Sequence, residues 1–158
     1  MAIFLATPFS PLPDDLYSLI DIITPNETEC AALVGFAVTD IPQAEQAAQV
    51  LLQRGLKQVI IKLGARGAYL QDGKAGELVP GFPVNAVDTT AAGDAFNGAL
   101  AIALEGGQNL RNAVHFANAV GALSTTKHGA QPSLPTAGEV AQFMKEHGQE
   151  NDQTKFER

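Results

Sequence analysis

The stretch QVIIKLG, residues 58–64, is a continuous apolar run that stops at a glycine. A strand covered on one face alternates apolar and polar residues. A run without alternation is the pattern of a strand buried on both faces, as in a mostly parallel sheet. Before it, IPQAEQAAQVLLQRG (41–55) reads as a helix. Pro42 sits at its start, Ala44, Ala47, Ala48, Leu51 and Leu52 share one face, and Gly55 ends it. NETECAALVG (26–35) has helical spacing, with Ala31, Leu33 and Val34 apolar and Gly35 as its stop. DIIT (21–24) is a strand halted by Pro25, LYSLI (16–20) a brief helical turn, TPFSPLPDD (7–15) a loop, and IFLA (3–6) a short buried strand. After it, GAYLQDGKAGELVPG (67–81) holds two short strands around the turn QDGKAGE, a hairpin signal. Helices are expected over 94–104, 109–127 and 134–147, and the polar tail 148–158 is expected to fray. This order is α/β, with a parallel core and antiparallel additions. No repeat or linker divides the chain, so 1–158 is expected to be one domain.

The bulk numbers agree with a folded chain and exclude several functions. Of 158 residues, 46% are hydrophobic and 17% charged, too apolar for a disordered chain. The formal charge is −7, from 17 acidic and 10 basic side chains. That balance lacks the basic footprint needed to hold a nucleic acid or an anionic membrane surface. Cys30 is the one cysteine, so no internal disulfide forms, and no Cys/His cluster has zinc spacing. A reduced, cytoplasmic setting fits. MAIFLATPF (1–9) has no positive leading region and runs into Pro8, Pro11 and Pro13, so it reads as a strand end and not a signal peptide. No apolar run approaches membrane-spanning length. The three histidines, His115, His128 and His147, are scattered and read as packed or surface imidazoles.

The chemistry concentrates in AVDTTAAGDAFNGAL, residues 86–100. Loop residues give way to a helix that begins at a glycine. Open N–H groups at a helix start, added to the helix dipole, attract anions. Ala91, Ala92 and Gly93 are small enough for a phosphate to approach the backbone. Asp94 beside them is either a helix-capping acid or a base that takes the proton of an alcohol attacking phosphorus. Spacing alone leaves these two readings balanced. No G-x-x-x-x-G-K-[ST] or G-x-G-x-x-G phosphate loop and no H-E-x-x-H motif is present.

The full pattern, Asp-Thr-x-Ala-Ala-Gly-Asp and, after three residues, Gly-Ala-Leu, resembles the C-terminal signature of the ribokinase (PfkB-type) family of carbohydrate kinases. Three more segments resemble that family in the same order. TPNETE (24–29) is similar to its Asn-x-x-Glu motif, IKLGARG (61–67) to the strand and turn that meet the nucleotide phosphates, and KHGAQPSLP (127–135) to the late loop of ribokinases. The resemblance covers about Asp21 to His147. It implies a three-layer α/β/α ribokinase-like fold, present here as the C-terminal half of the sheet with its helices. It also implies transfer of the γ-phosphoryl group of ATP to a primary hydroxyl of a pentose, D-ribose above all.

The resemblance assigns roles to single residues. It implies Asp94 as general base and Ala91, Ala92 and Gly93 as the anion hole. Asn26 and Glu29 would hold magnesium-bound water and phosphate; without the other motifs, a cap with a capping-box glutamate is the plainer reading. Lys62 and Gly64, at the carboxyl end of a strand, would meet the nucleotide, although ribokinases can carry Thr in place of Lys62. Arg66 is read as a solvated turn residue. Asn118 would line the adenine pocket, against a plain helix-surface asparagine. Asp88, the Thr90 carbonyl, the carbonyls of Ser124, Lys127 and Gly129, and the Ser133 hydroxyl match a potassium site, against plain turn residues.

Family members run to about 300 residues. The expectation is that the sugar-recognising half, with its Gly-Gly motif, and the small β lid lie outside this chain. An exposed sheet edge and apolar surface would then favour a homodimer or other self-association. Two alternatives follow: a nucleotide-binding fragment without independent catalysis, or another family member such as a fructokinase or nucleoside kinase.

Overall fold

Residue 59 and its neighbours behave as the unbroken apolar run requires. The computed structural model describes residues 3–4 and 12–153, with side chains over 12–147. The strands form one sheet in the order β1 (Ile3–Phe4), β2 (Ile22–Ile23), β3 (Gln58–Lys62), β4 (Gly67–Gln71), β5 (Glu77–Pro80). β1 pairs with β2 and β2 with β3 in parallel, while β3–β4 and β4–β5 are antiparallel. Val59, Ile60 and Ile61 are wholly buried. The expected strand at 3–6 is seen at Ile3–Phe4, and 5–11 lie outside the described residues.

The chain forms two compact units, Met1–Pro80 and Gly81–Arg158. The first unit contains α1 (Asp14–Tyr17), α2 (Glu27–Val34) and α3 (Ile41–Gln53) besides the sheet. Its core brings Val59, Ile61 and Tyr69 together with Cys30 and Leu33 of α2 and with Ala44, Ala47, Ala48 and Leu51 of α3. The alanines let α3 lie close to the sheet, so its buried stripe is the one the sequence spacing marks. Cys30 is buried, and desolvation pushes its thiol up to about 12. Each helix is stopped and started by local chemistry. Asp40 caps α3 by accepting from Gln43 N at 2.8 Å, with Pro42 in the first turn. Gly35 ends α2 at φ +84°, a left-handed cap. Arg54 closes this end by donating to the Leu33 carbonyl at 2.7 Å and to the Tyr17 hydroxyl at 3.2 Å.

The second unit is helical: α4 (Ala92–Glu105), α5 (Leu110–Ser124) and α6 (Ala137–Gln153). α4 and α5 meet through small residues, Ala95, Ala99 and Ala103 on one and Ala113, Ala117 and Gly121 on the other. At Gly121 a Cβ would make ordinary van der Waals contact with the Ala92 carbonyl at 3.4 Å, so the helices leave room there for a small residue. Phe82 packs with Phe143, 5.3 Å between ring centroids, and with His115 at 5.0 Å. His115 is thus a packed imidazole; burial, and secondarily Arg111, pushes its pKa down. α4 starts two residues earlier than the spacing predicts. α5 ends at Ser124, with turns over 125–127. Residues 148–153, expected to fray, continue α6, and 154–158 lie outside the described residues.

Leu51 is fully buried between α3 and the sheet. Leu51→Ala is expected to cost about 2–5 kcal/mol, as for other large-to-small core substitutions. A urea titration reads this as a lower midpoint at constant slope.

Candidate functional site

In the first unit, β2 and β3 end side by side, and the candidate nucleotide residues gather there. Lys62 N donates to the Pro25 carbonyl at 2.8 Å, and Asn26 and Lys62 form an isolated parallel bridge. The chain then leaves β2 through Asn26 into α2. Asn26 Oδ1 accepts from Glu29 N at 2.8 Å, and Glu29 Oε2 accepts from Asn26 N at 2.8 Å. This is a complete capping box, the plainer of the two readings of that pair. It uses one oxygen of each side chain. β3 leaves through a 3₁₀ turn, Gly64–Arg66. Gly64 has φ +59° and Gly67 φ +104°, conformations that a side chain strongly disfavours. Those two glycines turn the chain back into β4 within four residues.

Arg66 is an exposed turn residue, as expected from sequence, but its side chain is also held by other segments. Its guanidinium pairs with Glu27 in the first turn of α2, and donates to the Thr39 carbonyl at 2.9 Å and the Leu63 carbonyl at 3.4 Å. The turn after β3 is thereby tied to the start of α2. Nothing in the local sequence spacing marks this pair, since the partners are 39 residues apart.

In the second unit, α4 opens without a side-chain cap. Its N-cap residue is Ala91, which makes no side-chain cap hydrogen bond. Ala92 N donates to the Thr89 carbonyl at 3.2 Å and Ala95 N to the Ala91 carbonyl at 2.9 Å. Between them, the N–H groups of Gly93 and Asp94 have no carbonyl one turn earlier in the helix to bond. Asp94 is the third helical residue and is exposed. Asp94 is therefore not the N-cap residue, which is an alanine, but an acid in the first turn, where the helix dipole also favours one.

Asp88 joins two loops. Its Oδ1 accepts from Thr90 Oγ1 at 2.6 Å and Thr90 N at 3.0 Å, and its Oδ2 accepts from Gly129 N at 3.0 Å. The Thr125 carbonyl accepts from Val87 N at 2.7 Å and Asp88 N at 3.1 Å. Hydrogen bonds to the carboxylate, first from the Thr90 hydroxyl, then from the Thr90 and Gly129 amides, hold the Asp88 pKa at about 2. Of the candidate cation ligands, Asp88, Thr90 and Gly129 are thus drawn into one network. Ser124 and Ser133 are buried, and their hydroxyls donate to the Gly121 and Ala130 carbonyls, each at 2.7 Å. Lys127 binds Glu139 at 2.6 Å, and Glu139 also accepts from Thr136 N at 2.7 Å. Thr136-x-x-Glu139 is a capping box at the start of α6, with the spacing of that motif in the sequence. Among the described residues no three His, Cys, Asp or Glu side chains cluster as metal ligands. Asn118 lies on the buried face of α5, so the surface-asparagine reading is excluded.

The model of the pfkB family carbohydrate kinases matches residues 3–137. The chain belongs to the pfkB carbohydrate kinase family. Among pfkB kinases, it is 45% identical over 137 residues to a ribokinase of Haemophilus influenzae, covering 87% of this chain and 45% of that one. The ribokinase-like fold is shared with solved family members. A Thermotoga maritima ribokinase superposes with a TM-score of 0.82 at 41% identity, over 90% of this chain and 48% of that chain. An Arabidopsis thaliana ribokinase complexed with ribose and ATP gives 0.85 at 35% identity, over 90% and 47%. The chain spans about half the length of the pfkB relatives it matches.

The low pKa of Asp88 carries a pH dependence. An unfolded aspartate titrates near 3.9. Bonds that favour the folded carboxylate stabilise the fold fully above that value and are lost as pH falls through about 2. Asp88→Asn is expected to be less stable than the parent at pH 6, with the gap closing between about pH 4 and pH 2. Urea midpoints of both proteins across that range check it.

Proposed function

We propose that this chain carries the nucleotide-binding part of an ATP-dependent sugar kinase, a ribokinase, that forms ribose 5-phosphate and ADP from D-ribose and ATP. The observation that carries the reading is the opening of α4: an alanine N-cap, two open N–H groups and an exposed Asp94 in the first turn. The level of identity to ribokinases supports the choice of sugar.

Asp94 accepts the proton of the attacking sugar hydroxyl, as a positioned carboxylate does in other phosphoryl transfers. In the Ala91-Ala92-Gly93 anion hole the open N–H groups are those of Gly93 and the adjoining Asp94, since Ala92 N is bonded to the Thr89 carbonyl, and they stabilise the charge developing on the transferred phosphoryl oxygens. They are already oriented by the helix, so no reorganisation is needed as the charge builds. Small side chains keep that approach open. Lys62 and Gly64 bind the nucleotide phosphates at the carboxyl end of β3, and Asn118 contributes to the adenine pocket.

Two cations fit the donors. Glu29 uses Oε2 in the cap, which leaves its other carboxylate oxygen to accept from a magnesium-bound water, and Mg²⁺ with ATP supplies charge neutralisation on the phosphates. Asp88 and the carbonyls of Thr90, Ser124, Lys127 and Gly129, with the Ser133 hydroxyl, form an all-oxygen set suited to K⁺. That set belongs to the loops on either side of the Asp88 bonds, so its occupancy bears on the order of the α4 start.

A second reading is favoured by the chain's span of about half its relatives. On that reading the chain binds nucleotide without independent catalysis, because transfer needs both substrates held in line. ADP release with ribose, Mg²⁺ and K⁺ separates the two: ribose-dependent turnover supports the first, and MgATP binding without it supports the second. Neither binding nor turnover would sink both. On the first reading, Asp94→Asn should lower kcat by about 10²–10⁴-fold, the usual size of a general-base contribution, with KM for ATP little changed.

A further inference from the structure

Arg66 and Glu27 lie within the two segments assigned to the nucleotide, IKLGARG and TPNETE, yet neither is among the residues given a contact with it. Asn26, Glu27 and Glu29 occupy the N-cap and first turn of α2, so two carboxylates sit where an anionic phosphate would approach. Glu29 is held in the capping box. Glu27 is held by the Arg66 guanidinium instead. The same guanidinium reaches the Thr39 and Leu63 carbonyls, so its position is fixed from three segments. Thr39 is itself held, since its N and Oγ1 both donate to Gln43 Oε1, at 2.8 and 2.9 Å.

We propose that Arg66 is a positioning residue that neutralises Glu27 and so makes the start of α2 acceptable to the phosphates of a nucleotide. The inference rests on the nucleotide-binding reading of Asn26, Glu29 and Lys62. Two consequences follow from the charges. An acid one residue from Asn26 repels a triphosphate when its partner is removed. Removing the acid while keeping an acceptor for Arg66 leaves uncompensated positive charge, which attracts the phosphates. A purely structural clamp gives the first effect but never the second.

The test is calorimetric binding of MgATP to the parent chain and to Arg66→Ala, Glu27→Gln and the double variant. Both side chains are partly exposed, so effects are those of a surface charge pair, about two- to fivefold each. Arg66→Ala should bind more weakly by about that factor, and Glu27→Gln more tightly. The double variant should recover most of what Arg66→Ala loses. Glu27→Gln keeps the hydrogen bond to Arg66, so its result decides the case even where Arg66→Ala fails to fold. Unchanged or weaker binding by Glu27→Gln overturns the proposal while the nucleotide reading stands. Failure of the parent to bind MgATP overturns that reading, and the proposal with it.

Discussion

The hydrogen bonding along both edges of β3 is the constraint on which the first unit depends. A wholly buried backbone must find partners for every N–H and C=O. β3 does so with β2 on one edge, in parallel, and with β4 on the other, antiparallel. The parallel edge places the ends of β2 and β3 next to each other, and the bridge between Asn26 and Lys62 extends that contact past the strands. Two motifs far apart in sequence therefore become neighbours for reasons of backbone satisfaction, before any ligand is considered. The antiparallel edge requires a tight reversal, and the positive-φ glycines at 64 and 67 supply it.

The second unit reaches a similar end by different means. Its helices bury alanine and glycine, and while Asn109 caps α5 and Thr136 caps α6, α4 opens from its loop without a side-chain cap. The Asp88 carboxylate accepts three hydrogen bonds, two from Thr90 in its own loop and one from Gly129 in the loop after α5. One carboxylate thus fixes the approach to α4 from its own loop and from the loop after α5. If potassium binds among the carbonyls of these loops, it adds to an order that the protein has already established.

Much of this was legible in the sequence because the signals are local. The unbroken run VII named a doubly covered strand, the alanine stripe of α3 named its buried face, and the Pro and Gly positions named most boundaries. Asn-x-x-Glu announced a capping box as clearly as it announced a family motif, and the structure contains that box. The misses are non-local. The Arg66–Glu27 pair depends on how two turns come together, which spacing within either turn does not encode. The start of α4 was placed late because Ala91 and Ala92 carry no cap signal, and a reader of caps looks for Ser, Thr, Asp or Asn. For Asn118 the polar type alone suggests a surface position, the alternative to a pocket residue, and its place on the buried stripe of α5 decides against that alternative.

The bare N-cap at Ala91 also bears on how this protein responds to engineering. Serine, threonine, asparagine or aspartate at a helix N-cap stabilises by about 1 kcal/mol over alanine. A screen for thermal tolerance would therefore favour such a residue at 91, and its side chain would occupy the N–H groups left open here. On the proposed role of those N–H groups, selection for heat resistance and selection for turnover pull this one position in opposite directions.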